Sequence, residues 1–197
     1  MKRAYVVLAA FAVAALVWIG LNVLSSESPG SKGLQAGDAL PPFAMPRSTS
    51  DCRGACDANI ATKPGQGSAG SRPACEVRGR DILNSCELVA GGPFVLAFVF
   101  EPVAACRDQV RVLERVAREH RNVSVNVIAV RAGAKQARAL GSTLPVGYDH
   151  DGAVATEYGV VVCPTITYVR RGGRVLGSTV GPQSDGEVEA WLGRLQD

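Results

Sequence analysis

Six cysteines carry most of the chemistry this 197-residue sequence could perform: Cys52, Cys56, Cys75, Cys86, Cys106 and Cys163. A cysteine thiolate can ligate a metal, attack a substrate, or exchange with a second sulfur to form a disulfide. The first four lie close together, and four thiolates could close a tetrahedral zinc site. Their spacings are not the short paired C-x-x-C type, so in an oxidising compartment they are expected to form two structural disulfides. Four cysteines allow three pairings. The nested one, Cys52 with Cys86 and Cys56 with Cys75, suits a loop that returns beside its own start. The two histidines, His120 and His150, read as a helix-end and a turn residue, without the convergent partners a site needs. Glu101 precedes the segment that carries Cys106; it is either a proton acceptor for that thiol or a solvated loop carboxylate. Asp149 and Asp151 flank a turn and read as turn formers.

The compartment is set by the first residues. Lys2 and Arg3 precede an apolar run from Ala4 to Leu24 whose one polar residue is Asn22. A bilayer core needs about 20 such residues, and a basic N-terminal flank stays in the cytoplasm. A cleaved signal peptide has a shorter apolar region, about 7–15 residues, and a small-residue cleavage site. The exit here, Asn22-Val23-Leu24-Ser25-Ser26, fits such a site poorly. Residues 1–25 are therefore expected to be a transmembrane signal anchor of a single-pass cell-membrane protein. Residues 26–38 read as a flexible Ser/Gly-containing linker, and residues 39–197 as an extracytoplasmic domain. Thiols exported past a membrane meet oxidants, which agrees with the disulfide reading. The net charge is only +3, without a dense Lys/Arg run, and this excludes nucleic acid as the expected partner.

The elements that must position the cysteines follow from periodicity. Leu40-Pro41-Pro42-Phe43-Ala44-Met45-Pro46 reads as a short extended segment, its prolines suited to a sheet edge. Residues 47–80 lose all period and form a cysteine-rich insertion, long for a loop in a compact domain and ordered by its cross-links. Ile82–Val89 predicts a strand. Phe94–Phe100 is a continuous apolar run, as a central strand buried on both faces requires. The next segment repeats apolar residues by threes and fours at Cys106, Val110, Leu113, Val116 and Ala117, the stripe of an amphipathic helix. A strand over Val123–Val130, a short helix over Ala134–Leu140, an extended piece from Leu144 and a helical turn over Ala153–Tyr158 follow. Thr165–Val169 and Arg174–Thr179 are joined by a Gly-containing turn and read as a hairpin. A last helix spans Asp185–Gln196, capped by Ser184 or Asp185. Strand–helix–strand implies a parallel pair with a right-handed crossover. The hairpin adds antiparallel strands, so the fold class is α/β, with a mixed central sheet and helices on both faces.

Three segments in this order resemble the thioredoxin-like superfamily, and more narrowly the membrane-tethered envelope proteins of the TlpA/ResA (redoxin) type. Pro41-Pro42-Phe43-Ala44-Met45-Pro46 is similar to that group's opening. The strand Phe94–Phe100, a loop and then Cys106-Arg107 resemble its CxxC-Arg helix. Tyr158-Gly159-Val160 to Pro164-Thr165, with the Gly172-Gly173 hairpin, resembles its cis-proline region. The resemblance implies a thioredoxin-like fold and a cis Pro164 that holds the substrate backbone. It also exposes a departure: the first cysteine of the motif is replaced by Val103, so the CxxC is degenerate and the usual vicinal dithiol cannot form. The residue before the cis-proline sits against the CxxC helix in this fold, so Cys163 is expected to face Cys106. The resemblance thus implies an atypical thiol–disulfide oxidoreductase with catalytic residues Cys106, Cys163 and Pro164. It needs no bound cofactor, and its partner is a protein thiol or disulfide. Two other functions fit the same residues. One is a non-catalytic thioredoxin-like binding domain whose disulfides are all structural. The other is a peroxiredoxin-like thiol peroxidase with Cys106 as nucleophile, although that group's Pro…Thr…Cys motif is incomplete, since Pro102 precedes Cys106 without an intervening Thr.

Overall fold

The computed structural model describes residues 32–51, 60–61, 72–101 and 103–196, and the single residue Val13. The expected signal anchor apart from Val13, residues 26–31 of the linker, Cys52, Cys56 and Pro102 lie outside the described residues. Among the described residues no helix is long and apolar enough to cross a membrane.

The elements run β1 (Phe43–Pro46), β2 (Ile60–Ala61), a 3-10 turn (Ala74–Glu76), β3 (Ile82–Asn84), α1 (Ser85–Gly91), β4 (Phe94–Val99), α2 (Ala104–Glu119), β5 (Ser124–Val130), α3 (Ala134–Ala139), β6 (Val146–Asp149), α4 (Ala153–Glu157), β7 (Thr165–Val169), β8 (Val175–Val180) and α5 (Asp185–Gln196). The central sheet has the order β6-β5-β4-β7-β8. β4, β5 and β6 are mutually parallel, while β7 and β8 are antiparallel to their neighbours. The apolar run becomes β4, the middle of the five strands, buried at every position.

Because side chains alternate along a strand, β4 feeds two cores. Phe94, Leu96 and Phe98 face a layer made of Phe43, Met45, Leu83 and Tyr158. Val95 and Ala97 face α2 and α5 through Leu113, Val116, Val188 and Leu192. The first layer is a small antiparallel sheet of order β2-β1-β3. It is pinned by Tyr158, whose hydroxyl donates to the Pro41 carbonyl at 2.6 Å. It also packs close on β6, where a Cβ on Gly147 would lie 2.7 Å from Met45 Sδ and 2.8 Å from Leu83 Cδ2. The predicted helix over Asp185–Gln196 is present as α5. Its start carries a reciprocal cap in which Ser184 N donates to Glu187 Oε2 and Glu187 N to Ser184 Oγ, the two orphan donors satisfied together.

Three expectations are corrected. The strand expected over Ile82–Val89 stops at Asn84, because the Asn84 side chain accepts the N–H groups of Cys86 and Glu87 and starts α1 there; asparagine at this position is a strong helix cap. The proline-bearing segment is not an edge: β1 is the middle strand of the small sheet, with Pro41 and Pro42 placed before its first paired residue and Pro46 at its last position. The nested pairing is excluded, since Cys75 is bonded to Cys86 with Cα atoms 5.5 Å apart. Its cause is again Asn84, whose amide donates to the carbonyls of Ala74 and Val77 and draws the 3-10 turn onto the start of α1. The bond also removes two of the four thiolates that a zinc site would use.

Candidate active site

The strand–helix junction after β4 brings Cys106 into the first turn of α2 and the turn before β7 brings Cys163 to meet it. The two are joined as a disulfide, with Cα atoms 5.8 Å apart, inside the 4.4–6.8 Å range such bonds need. The peptide between Cys163 and Pro164 is cis. Cys106 is fully buried, packed with Val99, Val110, Val127 and Ala129. Cys163 is only partly buried. Its sulfur accepts the N–H of Phe100 at 3.2 Å, and the Phe98 carbonyl oxygen stands 3.8 Å away.

Several bonds fix the turn that carries Cys163. Thr165 Oγ1 donates to the Val162 carbonyl at 2.6 Å, and Gly181 N donates to the Pro164 carbonyl at 2.8 Å. Gln109 sits one helical turn beyond Cys106 on the same face, buried, and its Oε1 accepts the N–H of Gln183 at 2.6 Å. It ties α2 to the segment between β8 and α5. Sequence reading missed Gln109, though a signal existed: it is a polar residue inside the apolar stripe of Cys106, Val110 and Leu113.

Val103, where the family resemblance would place the first cysteine of a CxxC, is the N-cap of α2 and makes no side-chain cap bond. It is 45% exposed, and Val161 and Val162, directly before Cys163, are 62% and 43% exposed. Val180, paired with Thr165 across the hairpin, is exposed as well. Apart from Val13, these are the large apolar residues left exposed among the described residues, and all adjoin the two cysteine segments. Glu101 does lie beside the helix, but its carboxylate pairs with Arg107 Nε at 3.6 Å rather than with either sulfur. His120 closes α2 at the end opposite Cys106, and His150 stands exposed in the turn after β6. Asp151 is a turn former, its Oδ1 accepting the Ala153 N–H at 3.1 Å. Asp149 is not: it is a buried strand end whose Oδ2 accepts the Ala155 N–H at 2.7 Å. Burial pushes its carboxyl up to about 6, against the pull of backbone N–H donors from Ala155, Val154 and Gly152 and with a small push from Asp151.

No protein-family model matches the sequence, and no curated protein matches it significantly. Solved structures do. DsbF of Mycobacterium tuberculosis, in mixed oxidised and reduced forms, superposes with a TM-score of 0.54 at 24% identity, covering 58% of this chain and 87% of its own. A Chlorobium tepidum protein described as thiol:disulfide interchange protein DsbE gives 0.59 at 19% identity, covering 81% of this chain and 99% of its own. The peroxidoxin BcpB of Mycobacterium tuberculosis gives 0.55 at 18% identity, covering 83% and 97%. At these identities the likeness is one of fold. With its mixed five-stranded sheet, its parallel crossover through α2 and its cis-proline before β7, the chain has the thioredoxin-like α/β fold that these proteins share.

Proposed function

We propose that this protein is a thiol–disulfide oxidoreductase working outside the cytoplasm, tethered by residues 1–25 and linked through residues 26–38. The Cys106–Cys163 disulfide exchanges two electrons with a protein dithiol, and Pro164 holds the partner's backbone beside it. The observation that carries this reading is the placement of the disulfide: it joins the first turn of α2 to the cis-proline turn, with Cys106 buried and Cys163 a partly exposed residue. The chemistry is consecutive thiolate attack on a disulfide, and it requires no bound cofactor.

The peroxidase reading is less well supported. A peroxide-reducing cysteine must meet its substrate as an accessible thiolate, and Cys106 is fully buried and bonded to Cys163. The binding-domain reading differs in that the disulfide would only stabilise. An exchange assay separates the two. Detergent-solubilised full-length protein should accelerate reduction of an interchain peptide disulfide by dithiothreitol, or oxidation of a reduced dithiol peptide. The double variant Cys106→Ala, Cys163→Ala should fall to the rate of buffer alone. Wild-type protein that accelerates neither direction would leave the domain a binding module.

A further inference from the structure

Resting on the exchange reading, we propose that the sulfur that exchanges with the partner is Cys163 Sγ, from the cis-proline turn, and that Cys106 is the inner, resolving thiol. The redox pair is thus worked from the loop side rather than from the helix. Three observations lead here. Cys106 has no exposed surface, so no external thiolate can approach its sulfur. Cys163 is partly exposed, and the two residues before it are exposed valines. Finally, Phe100 N–H donates to Cys163 Sγ at 3.2 Å; a donor aimed at sulfur favours the thiolate over the thiol. The Phe98 carbonyl, 3.8 Å away, is placed to accept from the S–H of the protonated form.

The steps balance as follows. A thiolate of the partner dithiol attacks Cys163 Sγ. The Cys106–Cys163 bond breaks, and its electron pair leaves on Cys106 as a thiolate in the first turn of α2, where the helix dipole favours negative charge. A partner–Cys163 mixed disulfide remains. The partner's second thiolate attacks the partner sulfur of that bond, and Cys163 leaves as a thiolate. The partner dithiol is oxidised to a disulfide, the Cys106/Cys163 pair gains two electrons, and the two protons lost by the partner pass to solvent or to the new thiols. Reduction of a partner disulfide is the same path reversed, with Cys163 attacking and Cys106 resolving.

The test begins with full-length wild-type protein reduced with dithiothreitol, freed of reductant and pulsed with iodoacetamide, each cysteine then being quantified by mass spectrometry. Cys163 should be alkylated at least about tenfold faster than Cys106, as exposure and thiolate character require. Two variants provide the second readout. Cys106→Ser should react with 5,5′-dithiobis(2-nitrobenzoate) and retain the mixed disulfide. Cys163→Ser should react only slowly until denaturant is added. Faster alkylation of Cys106, or a stable adduct captured by folded Cys163→Ser, would overturn the assignment. The pulse experiment needs no variant, so a misfolded variant leaves it intact. Wild-type protein inactive in the exchange assay but labelled first at Cys163 would sink the enzyme reading and keep this ranking. An active wild type labelled first at Cys106 would sink the ranking alone.

Discussion

At the scale of single residues, Asp149 gives a prediction independent of the sulfur chemistry. Burial holds its carboxyl at about 6 in the folded protein, against about 3.9 in an unfolded chain. The folded state therefore binds this proton more tightly than the unfolded one. The stability that this contributes is fully present below pH 4 and is lost as pH rises through about 6, a difference of about 3 kcal/mol at most. Asp149→Asn keeps an oxygen for the Ala155 N–H and cannot ionise. The variant should melt above wild type at pH 7.5, and the gap should close by pH 4.5; parallel melting curves across that range would contradict the assignment. The legibility of residues divides along the same line. Cys106, Cys163 and Pro164 were visible because a family pattern marks their positions. Asp149 was not, because Asp-x-Asp-Gly is a turn signal and the sequence does not say that its first member ends a buried strand. Gln109 interrupts an apolar stripe and so could be seen, but its partner, the backbone of Gln183, could not, being distant in the chain.

At the scale of elements, periodicity located the sheet and its helices well where the signal was strong. The continuous run of β4, the stripe of α2 and the hairpin of β7 with β8 all stand where they were expected. The failure lies at Asn84. The segment from Ile82 to Val89 reads as one strand, yet a single cap divides it into β3 and α1. Asn84 is buried and makes four side-chain bonds, two as acceptor and two as donor. Asn84→Asp would keep the two acceptors and lose both donors, leaving the Ala74 and Val77 carbonyls without them. An unmade bond to a buried group costs about 1–3 kcal/mol, so the variant should melt at least about 4 °C lower. The Cys75–Cys86 bond, whose two ends Asn84 holds together, should also be reduced faster by dithiothreitol. Unchanged melting together with unchanged reduction would contradict this role.

At the scale of the whole molecule, the two disulfides among the described residues fall in different layers. Cys75–Cys86 closes a span of 11 residues and fastens the 3-10 turn to α1, in the layer of the small sheet. Cys106–Cys163 closes a span of 57 residues and joins α2 to the cis-proline turn, where the inner strand β4 ends and its neighbour β7 begins. On the proposed function the first bond is structural and the second exchanges electrons with the partner. Overall topology was legible because strand–helix–strand order and a right-handed crossover leave few alternatives. The cysteine pairing within the insertion was not, since spacing alone cannot say which loop returns to which helix.

The measurement that bears most directly on that division of labour is differential alkylation of the full-length protein, equilibrated across a series of redox buffers and read cysteine by cysteine by mass spectrometry. On the proposed function Cys106 and Cys163 should pass together between disulfide and thiols at a potential above about −300 mV, while Cys75 and Cys86 stay bonded, as structural disulfides do. Joint resistance of both bonds to reduction below that potential would contradict it, and would make the domain a cross-linked scaffold.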